Sequence, residues 1–323
     1  MLKLRTLTIL AVALVTLLIF SYFVTENHSN SNEVVVRLDA PFPAIDFAPF
    51  YVAKNKGWLE ETLADLNAKP SYVGSLGEIA LTNEALATNQ VDMFLTSTIP
   101  PVIGRSAGIE MQITWLSCVL NSEIIVQKGL PSNEFANLKG LKVGTLTGSD
   151  SHYWMLRSLA EKGYSEDFLE MIYYSRPDDI MAAFASQDLD SVALFPPFPE
   201  QSLVTGDAVV VGEEIYPIEV VMVARTAFIQ DHPELVKAIN ATLERAKDWI
   251  NKNPGEAKSI VSEVTGIAAE IVDISWSKLD WETHINAEMI ARMQAKADFL
   301  FDLGKIDNKV DVEMGLLSNF AKN

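Results

Sequence analysis

Short apolar runs alternate with helical patterns from Glu33 onward, which is typical of a layered α/β protein. The runs are continuous rather than interrupted by polar residues, and this predicts strands that are covered on both faces of a sheet. The predicted strands are Val34–Leu38, Val91–Leu95, Gln112–Leu116, Glu123–Gln127, Lys142–Thr145, Met171–Tyr174, Ser191–Leu194 and Val220–Ala224. Helices are predicted between them at Gly77–Thr88, Ser151–Lys162 and Asp178–Ser186.

Beyond Ala224 the pattern predicts helices only. Apolar residues recur at three- and four-residue steps from Pro233 to Lys252, which predicts one long helix with a single buried face. The same spacing predicts a second helix over His284–Leu303, ended by Gly304. The chain therefore divides into a layered α/β part and a helical C-terminal part.

The N-terminus carries a separate apolar segment. Leu7–Val24 contains no charged residue, and it is preceded by Lys3 and Arg5. As a helix it would be about 27 Å long, close to the hydrocarbon thickness of a bilayer. Residues 1–24 are therefore predicted to be either a signal peptide that is removed or a signal anchor that stays, with residues 25–33 as a tether. Both alternatives predict that the rest of the chain is exported.

Composition narrows the classes of partner. The chain has 323 residues, 49% of them hydrophobic, and its 43 acidic against 25 basic residues give a formal charge of −18. A surface this acidic argues against nucleic acid and against anionic lipid as partners. Because residues 1–24 contain two positive charges and no negative ones, the exported part carries −20. We interpret this charge as a solubility feature rather than a binding signal.

The residues that usually carry catalysis are sparse. The sequence has no glycine-rich phosphate loop and no G-x-S-x-G elbow, and its four histidines form no metal-binding pair. The sequence therefore predicts no catalytic residue, no metal site and no cofactor. Cys118 follows an apolar run, which predicts a buried structural thiol rather than a nucleophile.

Polar or rigid loops follow three of the predicted strands. The hydroxyl-rich segments 96–98 and 149–153 each lie at the start of a helix, where free backbone N–H groups can hold a small anion. In segment 195–198, prolines hold two phenylalanine rings that could form one wall of a small-molecule pocket. Ordinary helix capping and a stiff apolar turn explain the same loops, so both interpretations stay open.

The order of four motifs resembles a known family. Ala48–Leu59, Ala87–Asp92, Leu138–Gly144 and Asp231–Ala238 are similar, in that order, to motifs of the nitrate-, sulfonate-, taurine- and thiamine-precursor-binding proteins. Those proteins are the solute-binding components of ABC importers. The resemblance covers about residues 34–300, and the collinear set is more specific than any single motif.

The resemblance implies a type II periplasmic-binding-protein fold, with two α/β lobes joined by a hinge that the chain crosses twice. Lobe one would comprise residues 34–125 plus 221–323, and lobe two residues 126–220. A small-molecule ligand would lie in the cleft between the lobes, and closure about the hinge would accompany binding. The protein would be a periplasmic monomer that works with an ABC importer permease, anchored to the inner membrane by residues 7–24 if these are not cleaved.

The resemblance also implies a set of ligand-binding residues. They comprise three side chains after the first strand, the hydroxyls of a lobe-one loop, an anion-binding loop of lobe two, an aromatic wall and a hinge carboxylate. In that order these are Asp46, Phe47 and Tyr51; Thr96, Ser97 and Thr98; Ser149, Asp150, Ser151, His152 and Tyr153; Phe195, Pro196 and Phe198; and Glu219.

Two positions depart from the family pattern. Asn89 stands where the family often has glycine, and Asp46 stands where neutral residues are common. An unpaired carboxylate beside a bare sulfonate or nitrate costs stability, so an amine-bearing or heteroaromatic ligand would suit Asp46, Asp150 and Glu219 better. The ligand class therefore stays open between taurine- or sulfonate-like and thiamine-pyrimidine-like molecules.

Two alternatives to a soluble importer component are also open. A thiamine-pyrimidine-synthase-like enzyme would share the fold, but such enzymes use a cysteine-rich iron-binding motif and this chain has one cysteine. A retained N-terminal helix would instead make the protein a membrane-tethered ligand receptor for a sensor. An exported, non-catalytic solute-binding protein remains the favoured hypothesis.

Overall fold

A computed structural model describes residues 33–74 and 79–322 of the chain. The predicted signal peptide or anchor, residues 1–24, lies outside the described residues, as does the predicted tether except for Glu33. The described strands form one sheet in the order β2-β1-β3-β8-β4-β7-β5-β6, with β9 paired to β4. The strands are β1 (Val34–Asp39), β2 (Ala68–Tyr72), β3 (Met93–Ser97), β4 (Met111–Gln127), β5 (Lys142–Leu146), β6 (Glu170–Tyr174), β7 (Ser191–Leu194), β8 (Ala208–Arg225) and β9 (Leu279–Asp280).

Two parallel groups of strands flank a long antiparallel pair. Strand β1 runs parallel to β2 and β3, and β5 runs parallel to β6 and β7. Strands β4 and β8 pair antiparallel along most of their length, with irregularities near Ile113, Leu116 and Glu123. One end of β8, from Val220 to Ala224, pairs with β3, whereas β4 pairs with β7 from Glu123 to Val126. The long pair therefore connects the two parallel groups.

The helices cover both faces of this sheet. In chain order they are α1 (Ala48–Asn55), α2 (Trp58–Ala64), α3 (Ile79–Ala87), α4 (Ile99–Ser106), α5 (Asp150–Glu161), α6 (Pro177–Ala185), α7 (Phe198–Thr205), α8 (Thr226–Asp231), α9 (Pro233–Lys252), α10 (Pro254–Thr265), α11 (Ala269–Trp276) and α12 (Ala287–Asp302). Several begin with proline in the first turn, where a missing N–H costs nothing. Helix α12 is capped by the Asn286 side chain, which accepts a hydrogen bond from Met289 N.

Helix α9 shows how the apolar pattern becomes packing. Leu235, Val236, Ile239 and Leu243 are all buried, as the three- and four-residue spacing predicts. The helix packs on α1 and α2, so its apolar face covers the helices that follow β1. Its predicted bounds, Pro233–Lys252, are confirmed. This packing holds α1, the helix that follows the loop after β1.

Among the differences between the structure and the predicted elements, three concern β2, β4 and β9. Strand β2 was not predicted, because it is a short edge strand with polar residues and Pro70. The predicted strands Gln112–Leu116 and Glu123–Gln127 are parts of one strand, β4, whose middle carries Ser117, Asn121 and Ser122. The prediction of helices only beyond Ala224 is wrong, since the two-residue strand β9 pairs with β4 there.

Candidate functional site

The loops that follow β1, β3, β5 and β7 meet in one region of the molecule. The ring centroid of Phe42, in the loop after β1, lies 5.8 Å from that of Phe195, which follows β7. The Thr98 hydroxyl, just after β3, lies 3.3 Å from the Asp150 carboxylate at the start of α5. Groups from both parallel strand groups therefore come together here, as expected for a cleft at the carboxyl ends of strands.

A buried lysine joins three of the predicted ligand-binding residues. Lys296 on α12 donates hydrogen bonds to Asp150 Oδ1 at 2.6 Å, to Glu219 Oε2 at 2.6 Å and to Thr98 Oγ1 at 2.9 Å. Arg292, one helical turn earlier, donates from Nε to Glu219 Oε1 at 3.1 Å. We call this set of residues (Thr98, Asp150, Glu219, Arg292 and Lys296) the Lys296 cluster.

The Lys296 cluster is electrostatically balanced. Burial opposes the charge of Lys296, yet the carboxylates of Asp150 and Glu219 keep its pKa well above the ordinary value. Burial also opposes the charge of Glu219, but Lys296 and Arg292 lower the pKa of that carboxyl. Two carboxylates thus face two cations, and Lys296, Asp150 and Glu219 are each almost completely buried.

The cluster also occupies a helix N-terminus that the sequence predicts to be open for an anion. Ile99 N, the first backbone amide of α4, donates to Asp150 Oδ2 at 3.1 Å. The carboxylate of the chain itself therefore fills the position that an anionic ligand group would take. Lys296 was not predicted as a site residue, although a single lysine among Met293, Ala297 and Leu300 on a buried helix face is an unusual placement.

Two other carboxylates at the loop after β1 have no such partner. Asp39 and Asp46 are 1% and 5% exposed, and among the described residues no hydrogen-bond partner meets either oxygen of Asp39 or Oδ1 of Asp46. Burial raises the pKa of Asp39 to about 7, with the backbone of Ala40 opposing the shift. Burial likewise raises the pKa of Asp46 to about 7. Asp39 was not among the predicted site residues, because it ends β1 and lies outside the loops and motifs from which the site was predicted.

Tyr51 ties this loop together. Its hydroxyl donates to Phe42 O at 3.3 Å and accepts from Ala44 N at 3.5 Å, so it holds the segment between the two aspartates. Burial raises the pKa of Tyr51, and the negative charges of Asp46 and Asp39 raise it further. Both carboxylates therefore lie close enough to the phenol to act on it.

Aromatic rings and two cavities adjoin the loop that the two aspartates flank. Phe42 packs on Phe47 with ring centroids 5.7 Å apart, and Phe195 packs on Phe198 at 5.5 Å. A cavity of about 440 Å³ is lined by Phe42, Phe198 and, at its margin, Arg176. A second cavity of about 170 Å³ is lined by residues that include Phe42, Tyr51 and Lys54. The loop after β1 thus borders space large enough for a small ligand.

The remaining predicted residues have mixed surroundings. Ser149 caps α5, because its hydroxyl accepts from His152 N at 3.2 Å. The His152 ring packs on Tyr173, and burial, followed by the charge of Lys305, lowers its pKa to about 4. Tyr153 packs between Tyr216 and Phe299. The others are buried or half-buried at the strand ends: Thr96 and Ser97 at β3, Ser151 on α5 and Pro196 beside Phe195.

Neither a metal centre nor a membrane-spanning helix is found in the part of the chain that the structure describes. Within residues 33–74 and 79–322, no three His, Cys, Asp or Glu side chains are grouped so as to hold a metal ion. Among the described helices, none combines the length and apolarity needed to cross a bilayer. The predicted anchor at residues 7–24 lies outside the described residues.

Cys118 is completely buried on β4, which confirms the predicted structural thiol. Burial raises its pKa well above the ordinary value, and the charge of Asp46 adds to this shift. We expect iodoacetamide at pH 8 to leave native protein unmodified, because the reactive thiolate is both inaccessible and disfavoured. Mass spectrometry should detect one adduct only after denaturation. Rapid labelling of the native protein would contradict this burial.

Comparison with known proteins agrees with this architecture. A protein assigned as an aliphatic sulfonates-binding protein of Escherichia coli (strain K12) is 25% identical over 238 residues, covering 71% of this chain and 73% of the relative. A protein of the same assignment from Bacillus subtilis (strain 168) is 24% identical over 282 residues, covering 85% and 84%. The crystal structure of the periplasmic aliphatic sulphonate binding protein from Escherichia coli matches with a TM-score of 0.73 at 21% identity, covering 90% of this chain and 99% of that one.

These similarities define a periplasmic-binding-protein fold, which confirms the predicted α/β fold class. The family model described as NMT1/THI5 like matches residues 44–257, more than half of the chain. The chain therefore belongs to the NMT1/THI5-like family, as the four motifs predict. The named relatives are binding proteins rather than enzymes, in agreement with the prediction of a non-catalytic protein. The bounds of the lobes and the ligand-binding residues stay predictions.

Proposed function

We propose that this protein is an exported solute-binding protein that captures a small organic ligand for an ABC importer. The observation that carries the proposal is the meeting of loops from both parallel strand groups, at Phe42 and Phe195 and at Thr98 and Asp150, in a chain of this family. The ligand would be taurine- or sulfonate-like, or thiamine-pyrimidine-like. The neighbours' names support a periplasmic location, and we infer that the chain works there as a monomer with an importer permease.

The strand pairing supports two lobes with the predicted bounds. Strand β4 takes β7 as a partner from Glu123, and β8 takes β3 as a partner from Val220. Residues 34–125 plus 221–323 would then move as lobe one against residues 126–220. Five described ion pairs would join the lobes: Lys296–Asp150, Lys296–Glu219 and Lys278–Glu200 at 2.6 Å, Arg292–Glu219 at 3.1 Å and Lys305–Glu166 at 3.4 Å. Rotation about β4 and β8 would change the distances within these pairs. We therefore expect the pairs to influence the free-energy difference between the open and closed lobes.

Binding with lobe closure would test the proposed function. Titration calorimetry against taurine, alkanesulfonates, nitrate and thiamine-pyrimidine precursors should give one site per chain for at least one compound. Small-angle scattering should then show a smaller radius of gyration, because closure buries cleft surface. Absence of both signals across the whole panel would contradict the proposal.

A pair of aromatic variants would locate the site. Phe195→Ala should weaken the affinity for the bound compound by roughly tenfold or more, since a buried ring at the centre of an interface is a common hot spot. Tyr164→Ala is the matched control, because Tyr164 lies in the same proposed lobe and stacks on Phe168, which is not a predicted ligand-binding residue. Equal affinities in the two variants would show that the ligand does not contact Phe195.

A further inference from the structure

The carboxylates around the loops fall into two classes. Asp150 and Glu219 face Lys296 and Arg292 in the Lys296 cluster, at distances of 2.6 to 3.1 Å. Asp39 and Asp46 are buried to the same degree, yet no described cation forms an ion pair with either. Burying a charge without a partner costs several kcal/mol, and folded proteins rarely retain such groups without a use.

The two unpaired aspartates bracket a single loop. They flank the segment 40–45, whose backbone is held by the Tyr51 hydroxyl, and both act electrostatically on that hydroxyl. Phe42, in the middle of this segment, contacts Phe47 on one side and Phe195 on the other. Carboxylates beside aromatic faces form a common environment for an organic cation, because both attract positive charge.

The rest of the region does not favour an anion. The first amide of α4 is already bonded to Asp150, so that helix N-terminus is not free to hold a sulfonate. The cations that line the adjoining cavities, Lys54 and Arg176, are exposed side chains at their margins. An anionic tail would therefore lie toward solvent, whereas the buried end of a ligand would approach the loop that Asp39 and Asp46 flank.

We propose that the ligand carries a protonated aliphatic amine, which lies against Asp39 and Asp46 with its apolar body on Phe42 and Phe195. This inference rests on the proposed function and narrows its ligand class. It assigns Asp39 to the site, and it removes Asp150 and Glu219 from direct recognition of the amine. A bare alkanesulfonate or nitrate lacks the group that the two aspartates require.

Matched pairs of small molecules test this proposal. Taurine, ethanesulfonate and ethylamine separate the ammonium from the sulfonate. The pair 4-amino-5-aminomethyl-2-methylpyrimidine and its 5-hydroxymethyl counterpart shares the aminopyrimidine ring and differs only in the aliphatic amine of the 5-substituent. By calorimetry at pH 7.5, we expect binding within at least one pair, with the amine member favoured by about thirtyfold or more, as for a buried charge pair that loses one partner.

Three variants connect this preference to the aspartates. Asp39→Asn and Asp46→Asn should each reduce the amine preference at least tenfold, whereas Asp65→Asn, on an exposed aspartate, should leave it unchanged. Far-ultraviolet circular dichroism and thermal unfolding of each variant verify that it folds. If one of the aspartate variants does not fold, the variant of the other aspartate and the comparison of paired ligands on the wild type still test the proposal.

The outcomes separate the two proposals. If ethanesulfonate or the hydroxymethylpyrimidine binds as tightly as its amine partner, the cationic ligand class is wrong and the solute-binding function stands. The same holds if both aspartate variants retain the amine preference, or if calcium chloride alone binds with comparable heat. If no compound binds and scattering shows no closure, the proposed function itself fails.

Discussion

Replacing Lys296 by methionine should lower the free energy of unfolding by about 3 to 5 kcal/mol, the cost of breaking a buried ion pair from one side. The change removes three hydrogen bonds and leaves Asp150 without its cation in a nearly dry environment. Glu219 keeps the bond from Arg292 Nε, so Asp150 is expected to account for most of the loss. Guanidinium unfolding followed by tryptophan fluorescence would measure the change as a lower midpoint.

Two control variants test whether the loss of stability is specific to the buried ion pair. Lys237→Met removes an exposed lysine from the second turn of α9 and should change the free energy of unfolding by less than about 0.5 kcal/mol. The triple variant Lys296→Met, Asp150→Asn, Glu219→Gln should be more stable than Lys296→Met alone, because no carboxylate remains buried without a partner. A single variant that loses less than about 1 kcal/mol would show that the cluster is hydrated and weakly coupled.

The same variants bear on the residues predicted from the sequence. If Asp150 and Glu219 contact the ligand, their substitution should abolish binding while the midpoint of unfolding stays unchanged. If they serve the Lys296 cluster, the midpoint should fall first. The two roles are distinguishable because the cluster is built from contacts within the protein, which exist before any ligand arrives.

Local patterns predicted those parts of the fold that local physics determines. The buried stripe of α9 and the apolar strands β5 and β7 follow from periodicity, since each buries a continuous apolar face. Strand β8 was recognised only at its apolar end, because Gly212, Glu213, Glu214 and Pro217 obscure the pattern of its other half. Long strands such as β4 and β8 carry polar residues where they leave the core. A prediction based on apolar runs therefore recognises only parts of each strand.

The site was predictable only as far as its loops. Polar or rigid segments after predicted strands located the loops of Thr98, Asp150 and Phe195, and the family resemblance added Asp46; the structure forms contacts between these loops. The pairing of Asp150 with Lys296 could not be predicted, because the two are 146 positions apart and nothing local connects them. From charge alone, Asp150 and Asp46 were equally good candidates to bind an amine. Only the folded arrangement shows which of the two carboxylates has a counter-ion within the protein.

Replacing Asp46 by asparagine should stabilise the ligand-free protein at pH 8 and do little at pH 4. Burial raises the pKa of Asp46 from 3.8 to about 7, so between these values the folded state holds a proton that the unfolded chain releases. Stability therefore falls as the pH rises through this window and levels off above pH 7. At 1.36 kcal/mol per unit, the ionised carboxylate costs up to about 4 kcal/mol above pH 7.

The measurement is the difference in free energy of unfolding between Asp46→Asn and the wild type, taken from denaturant curves at half-unit steps from pH 4 to pH 8. Asp92→Asn is a control of opposite sign, because Asp92 pairs with Arg37 and Arg225, and these partners lower its pKa despite burial. Its stabilising contribution is present above the unfolded pKa and is lost as the pH falls through the folded one. That variant should be less stable than the wild type at pH 8, with the deficit shrinking in acid.

A bound amine should reverse the destabilising effect of the ionised Asp46 carboxylate. If an amine lies against Asp39 and Asp46, a saturating amine should stabilise the wild type most at pH 8, where the carboxylates are ionised, and progressively less below pH 7. The Asp46→Asn variant should gain little from the same amine at either pH. A wild type whose stability does not fall between pH 4 and pH 7 relative to this variant would mean that Asp46 is ionised and already paired in the free protein, and the cationic ligand would then have no unpaired charge to meet.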